Sequence, residues 1–177
     1  MADGNSLKDD GLRLFNNGSL NEALEKFTLA AAAFNESGLA LDAAEMYNNM
    51  GVIHRLDGRL EEAADLIRMA RASFASAGDR SREAQALGNL APLYLKQGNV
   101  ADAMSAYREA ALIFHELNDH DREGEVLIAL GLLRFDDGSR AEGIGLYEAG
   151  IRLISKPTGR QKRVRVVLNL KKMLLGS

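Results

Sequence analysis

The chain has no cysteine among its 177 residues. Disulfides, thiolate metal sites and cysteine nucleophiles are therefore excluded, and a reducing compartment suits it. It has only two prolines. Runs of β-branched residues are rare, while Ala, Leu, Glu and Arg abound, which favours helix. No apolar run approaches the ~18 residues that a membrane-spanning helix needs. The opening Met1-Ala2-Asp3-Gly4-Asn5 has no basic segment followed by an apolar one, so no signal peptide is expected. These absences point to a cytoplasmic, all-α protein without a membrane span. Hydrophobic residues make up 46% of the chain, enough to bury a core.

Several chemistries are missing as well. Of three histidines, His115 and His120 stand five apart, a poor metal spacing on a helix. No His-Glu-x-x-His, Gly-x-Gly-x-x-Gly or Gly-x-x-x-x-Gly-Lys motif occurs. Asp136-Asp137-Gly138 matches a fragment of a calcium loop but lacks its later ligands. No serine has a base near it in the pattern. No catalytic constellation, metal site or cofactor site is expected, and the chain reads as a non-enzyme.

What is present is a period. Gly18, Gly58, Gly98 and Gly138 stand 40 residues apart. Five residues after each comes a small side chain: Ala23, Ala63, Ala103, Gly143. Four further on comes a large one: Phe27, Ile67, Tyr107, Tyr147. Then follow Ala30, Ala70, Ala110 and Gly150, and after them Phe34, Phe74, Phe114 and Ile154. Before each turn lies another small residue: Gly11, Gly51, Ala91, Gly131. Residues at i, i+4, i+7 and i+11 share one helix face, so small residues admit a second helix and large ones fill the space beside it. Each glycine marks a turn that ends a helix in the left-handed conformation, and Gly38, Gly78 and Asn118 mark the other helix ends. The spacing predicts first (A) helices over about 5–17, 40–57, 80–97 and 120–137, and second (B) helices over about 20–36, 60–77, 100–117 and 140–155. A last helix falls at about 160–175. Chain 1–177 is expected to be a single repeat domain of hairpins 5–37, 40–77, 80–117 and 120–155 plus that helix.

The turns Gly58-Arg59-Leu60-Glu61-Glu62-Ala63 and Gly98-Asn99-Val100-Ala101-Asp102-Ala103 resemble those of tetratricopeptide (TPR) repeats. The common family period is about 34 residues. The longer one here, with Ala77-Gly78-Asp79, is similar to the Leu-Gly-Asn-rich adaptor and kinesin-light-chain type. The resemblance implies a right-handed superhelical solenoid of four hairpins plus a C-terminal capping helix. It also implies a protein or peptide partner held in a concave groove lined by the A helices.

Carried over by register, that groove takes Asp9, Asn49, Asn89, Ala129 and Asn169, two residues before each small A-helix residue. A carboxamide can pair with a backbone N–H and C=O together, so Asn49, Asn89 and Asn169 suit a ladder that reads peptide backbone. They equally suit bonds between neighbouring helices. Asn48, Gln85, Arg55 and the mostly apolar Leu12, Val52, Leu132 and Phe135 complete the candidate site. A carboxylate clamp of the co-chaperone type is matched by Lys8 and Asn49 but not by Leu12, Gln85 or Asn89. Pro92 lies inside the third A helix, which it should bend. His54, at the position of Tyr94, reads as a packing residue. A regulatory domain that binds a small signalling peptide is the alternative function.

Charge is uneven. Residues 1–155 carry 15 basic against 25 acidic side chains, a net of −10, whereas residues 156–177 carry seven basic and none acidic. The last helix, with Val164, Val167, Leu168, Leu174 and Leu175 in A-helix register, reads as a cap. A cap would cover the apolar face that membrane binding requires. The segment has no aromatic side chain for base stacking, so nucleic acid is disfavoured. A homodimer through the first hairpin or last helix is compatible with the sequence.

Overall fold

The computed structural model describes residues 3–175, except the side chains of Lys162, Arg165, Leu168, Asn169, Lys171, Lys172, Leu174 and Leu175. The described residues form helices only: α1 (Gly4–Asn16), α2 (Leu20–Glu36), α3 (Ala40–Leu56), α4 (Leu60–Ser76), α5 (Arg80–Lys96), α6 (Val100–Glu116), α7 (His120–Asp136), α8 (Arg140–Leu153) and α9 (Gly159–Leu175). No helix among them is long and apolar enough to cross a membrane. The chain divides into two compact units, 1–98 with α1–α5 and 99–177 with α6–α9.

The turns close as the glycine series requires. Gly18 takes φ 82° and Asn118 takes φ 56°, the left-handed region. At α1 the Ser19 N–H donates to Leu14 O at 3.0 Å and the Gly18 N–H to Phe15 O at 3.0 Å. That pair of bonds satisfies carbonyls a helix end would leave open. The starts of α5 and α7 repeat another device 40 residues apart. Asp79 Oδ1 accepts the Arg82 N–H at 3.0 Å, and Asp119 Oδ1 accepts the Arg122 N–H at 3.2 Å. The same arginines lie over Phe74 and Phe114, with 5.1 and 5.8 Å to the ring centroids. α5 continues as one helix through Pro92.

In the first unit, small residues on one helix meet large ones on the next. A Cβ on Gly11 would lie 2.6 Å from the Phe27 ring, and one on Gly51 would lie 2.5 Å from Ile67 Cγ1. The core there joins Ala23, Phe27, Ala30 and Phe34 of α2 to Met46 and Ile53 of α3. A second cluster joins Ala63, Ile67 and Phe74 of α4 to Ala86, Leu90 and Leu93 of α5. Pairing on α3 also involves Asn35 Nδ2, which donates to the Tyr47 hydroxyl at 2.8 Å.

The second unit goes further, with backbone against backbone. A Cβ on Gly131 would lie 2.7 Å from Gly143 O, and one on Gly143 would lie 2.6 Å from Gly131 O. Gly124 and Gly150 repeat that reciprocity at 2.7 and 2.5 Å. Beside them Ile128, Phe135, Ile144, Tyr147 and Ile151 form the core. Asp121 pins the far end of α8: the Ser155 N–H donates to its Oδ1 at 2.7 Å and the Ser155 hydroxyl to its Oδ2 at 3.1 Å. Those two donors hold the Asp121 carboxyl below its ordinary range.

α9 rests on this unit only in part. Val164 packs against the core, and the Tyr147 hydroxyl donates to Gln161 O at 2.9 Å. Val167, placed by the register on the covered face, is 50% exposed. The reason lies in the connection. α8 stops at Leu153, Ile154 turns extended at ψ 123°, and residues 154–158 replace the three-residue turn used before.

The glycine contacts can be tested by substitution. Gly143→Ala should destabilise the chain by about 1–3 kcal/mol, because the methyl meets backbone that cannot yield. Gly145→Ala, in the same helix but with open space around it, should stabilise by about 0.5–1 kcal/mol. Denaturant melts followed by circular dichroism measure both, and equal effects would contradict the contact. A second prediction concerns His54, whose basicity is lowered first by burial and then by the Arg59 charge. A lowered folded pKa means its contribution is present above the unfolded value of about 6.5 and is lost as pH falls through the folded one. The His54 ring protons should titrate in NMR with a midpoint below 6.5, the ordinary value; a midpoint at or above it contradicts this environment.

Candidate functional site

Placing α1, α3 and α5 in one unit leaves a concavity of about 200 Å³ lined by Leu12, Phe15, Phe27, Asn48, Asn49, Val52, Gln85 and Asn89. Apolar side chains enter from α1, α2 and α3, and carboxamides from α3 and α5. The helical spacing explains the grouping. Asn48, Asn49 and Val52 fall within one turn of α3, and Gln85 and Asn89 stand four apart on α5.

The carboxamides behave differently from one another. Asn48 is buried, and its Oδ1 accepts from Asn89 Nδ2 at 3.0 Å. That bond ties α3 to α5. Asn49 Nδ2 is shielded from solvent and has no hydrogen-bond partner among the described residues. An unmet donor of this kind costs about 1–3 kcal/mol. Three residues past Val52, half-buried Arg55 has an Nε in the same condition. Asn49 Nδ2, the unmet group in the lining, is thus a donor, which suits a carbonyl or carboxylate oxygen. Gln85 is exposed at the mouth.

Charges near the start of these helices are already matched. Lys8 Nζ lies 2.7 Å from Glu45 Oε1, and Arg82 Nη1 lies 3.5 Å from Glu45 Oε2. Arg82 Nε also donates to Asp79 Oδ2 at 2.6 Å. Burial acts to raise the Asp79 pKa, but its two bonds to Arg82 outweigh that and hold it below normal. With Lys8 engaged by Glu45, the lysine of a carboxylate clamp is spoken for.

Six of the ten sequence-derived residues meet in this concavity: Leu12, Asn48, Asn49, Val52, Gln85 and Asn89. Arg55 sits on the same helix outside its lining. Leu132 is exposed on α7 in the other unit, while Phe135, expected on a groove surface, is buried in that unit's core beside Tyr147. Phe135 is carried inward because α7 and α8 touch through glycine, which leaves their flanking large residues to close the space. The Asn169 side chain lies outside the described residues. Phe27 was missed as a lining residue because its register marked it as core, and it serves as both. The Lys8–Glu45–Arg82 chain left one signal in the sequence: opposite charges 37 residues apart on neighbouring A helices.

Away from the groove, buried Glu123 on α7 lies 3.1 Å from His115 Nδ1 and 3.6 Å from His120 Nδ1. Forty residues earlier, buried Glu83 lies 2.8 Å from Arg80 Nη1. The repeat therefore keeps a buried glutamate and changes the base beside it. Among the described residues no cluster of three or more His, Asp or Glu side chains forms a metal site.

Comparison with known proteins agrees with the helix-hairpin architecture. A kinesin-light-chain protein of Podosopora anserina with nearly identical TPR-like repeats superposes with a TM-score of 0.70 at 17% identity, covering 86% of this chain and 77% of that one. A single-substitution variant of that protein gives 0.69 at 17%, covering 84% and 73%. BtubC (BKLC) from P. vanneervenii gives 0.62 at 17%, covering 89% and 73%. At such identity the likeness is one of fold: all-α, TPR-like hairpins. No curated protein matches this chain significantly in sequence. The model of one family, described as soluble NSF attachment protein, SNAP, matches residues 16–155, through α2–α8 and most of the core described above, and the chain belongs to that family.

Proposed function

We propose that this chain is a non-catalytic protein-interaction scaffold that holds a partner peptide or helix against α1, α3 and α5. The observation that carries this reading is the concavity with its unmet donor. Leu12, Phe15, Phe27 and Val52 offer an apolar seat of about 200 Å³, the scale of one large side chain. Asn49 Nδ2 stands beside it with no partner among the described residues. One apolar side chain of the partner fills the seat, and a backbone carbonyl of the same segment accepts from Asn49. Membership of an attachment-protein family and TPR-like neighbours support a binding role over catalysis.

Asn48 and Asn89 take a supporting part. Their mutual bond fixes the spacing of α3 and α5, so the seat is formed before the partner arrives. Preorganisation of this kind limits the entropy lost on binding. The smallness of the concavity also suits the second reading, a regulatory domain for a short signalling peptide. Ligand length separates the two.

Peptide display against the immobilised chain tests the proposal. Selected peptides should lose at least about tenfold in affinity for Asn49→Leu and for Val52→Glu. They should keep it for Leu132→Glu, an exposed A-helix position in the other unit. Asn49→Leu should also raise thermal stability, since it removes a shielded donor with no partner. Binding unchanged by Asn49→Leu and Val52→Glu, in chains that melt normally, would place the binding surface elsewhere.

A further inference from the structure

The last helix carries an apolar seam that its own unit leaves open. Val166, Leu170 and Met173 follow one another at i, i+4 and i+7, one side of a helix. They are 56%, 48% and 75% exposed, and the adjacent Val167 is 50% exposed. The same register positions in α5, 80 residues earlier, are Ala86, Leu90 and Leu93, exposed by 0%, 1% and 0%. There they seat on α4 through Ala63, Ile67 and Phe74. In α3 the equivalents Met46 and Ile53 seat on α2. This face is therefore the one by which an A helix of this protein receives a B helix. α9 presents it to solvent because Val164 and Gln161, on its opposite side, make the contacts to α8.

Charge says what kind of helix fits. Residues 156–177 hold seven basic and no acidic side chains. Exposed Arg163 stands three residues before Val166, on the seam's own face. A second α9 would bring like charge against like. We infer that this seam docks an acidic amphipathic helix of a partner protein, patterned like a B helix. Small and large apolar residues would alternate along its contact face, and Asp or Glu would flank them. The groove of the first unit is a separate site, so failure of one reading leaves the other standing.

The probe is a fluorescein-labelled peptide of residues 19–37, the α2 sequence that covers this face in α3. It carries Glu22, Glu25 and Glu36 against Lys26. Fluorescence anisotropy with the full chain should show saturable binding. The double variant Leu170→Glu/Met173→Glu should weaken it at least tenfold. Both positions are exposed, so the variant should melt as the parent does. A peptide with its three glutamates changed to lysine should bind at least tenfold more weakly. No binding, or equal binding by the double variant or by the lysine peptide, would overturn the inference. Self-association in light scattering that Leu170→Glu/Met173→Glu abolishes would overturn it in favour of a second copy. Sedimentation with phosphatidylserine vesicles that the variant abolishes would overturn it in favour of a lipid surface.

Discussion

The structure depends on how closely each pair of helices can approach. Where Gly11, Gly51 and Gly131 face Phe27, Ile67 and Tyr147 of the next helix, the two backbones come near enough for that side chain to be buried completely. Phe27, Ile67 and Tyr147 are each at most 1% exposed, and each sits opposite a glycine. The contact also explains the spacing of the chain. Two helices of 17 residues and two three-residue turns return the small–large alternation to the same face, so the pattern recurs every 40 residues. Within each unit, neighbouring helices bury one another's apolar faces, as in repeat proteins generally.

Most of the architecture could be read from the residues because this alternation is written in them. Helix ends fall within two residues of expectation along α1–α9, since Gly18, Gly38, Gly58 and Asn118 each mark a chain reversal with φ above zero. Less legible is what each helix does with its remaining faces. Phe135 resembles groove lining by analogy with Arg55, 80 residues earlier. Only the reciprocal contact of Gly131 with Gly143, which draws α7 and α8 together, carries its ring into the core. Val167 departs from expectation for a different reason. Register predicts a face only while the connection preceding the helix is regular, and the one before α9 is not.

In the groove the sequence named residue types but left their partners open. Asparagines at recurring A-helix positions could bond each other or a ligand, and the structure shows the first of these. Asn89 bonds Asn48 and so braces α3 against α5, while Asn49 keeps a shielded donor with nothing to meet it among the described residues. In the reading proposed above, a seat braced by one amide and left incomplete by another gives up a little stability for a place where a partner backbone docks. The same economy marks the charges nearby: Glu45 engages both Lys8 and Arg82, so the groove presents neutral donors beside apolar surface.

A crystal structure of the chain with a display-selected peptide tests this account most directly. The account predicts a partner segment lying across α1, α3 and α5. One of its apolar side chains should sit among Leu12, Phe15, Phe27 and Val52, with a backbone carbonyl within hydrogen-bond distance of Asn49 Nδ2. A peptide bound on another surface, with Asn49 Nδ2 still unmet, would contradict it.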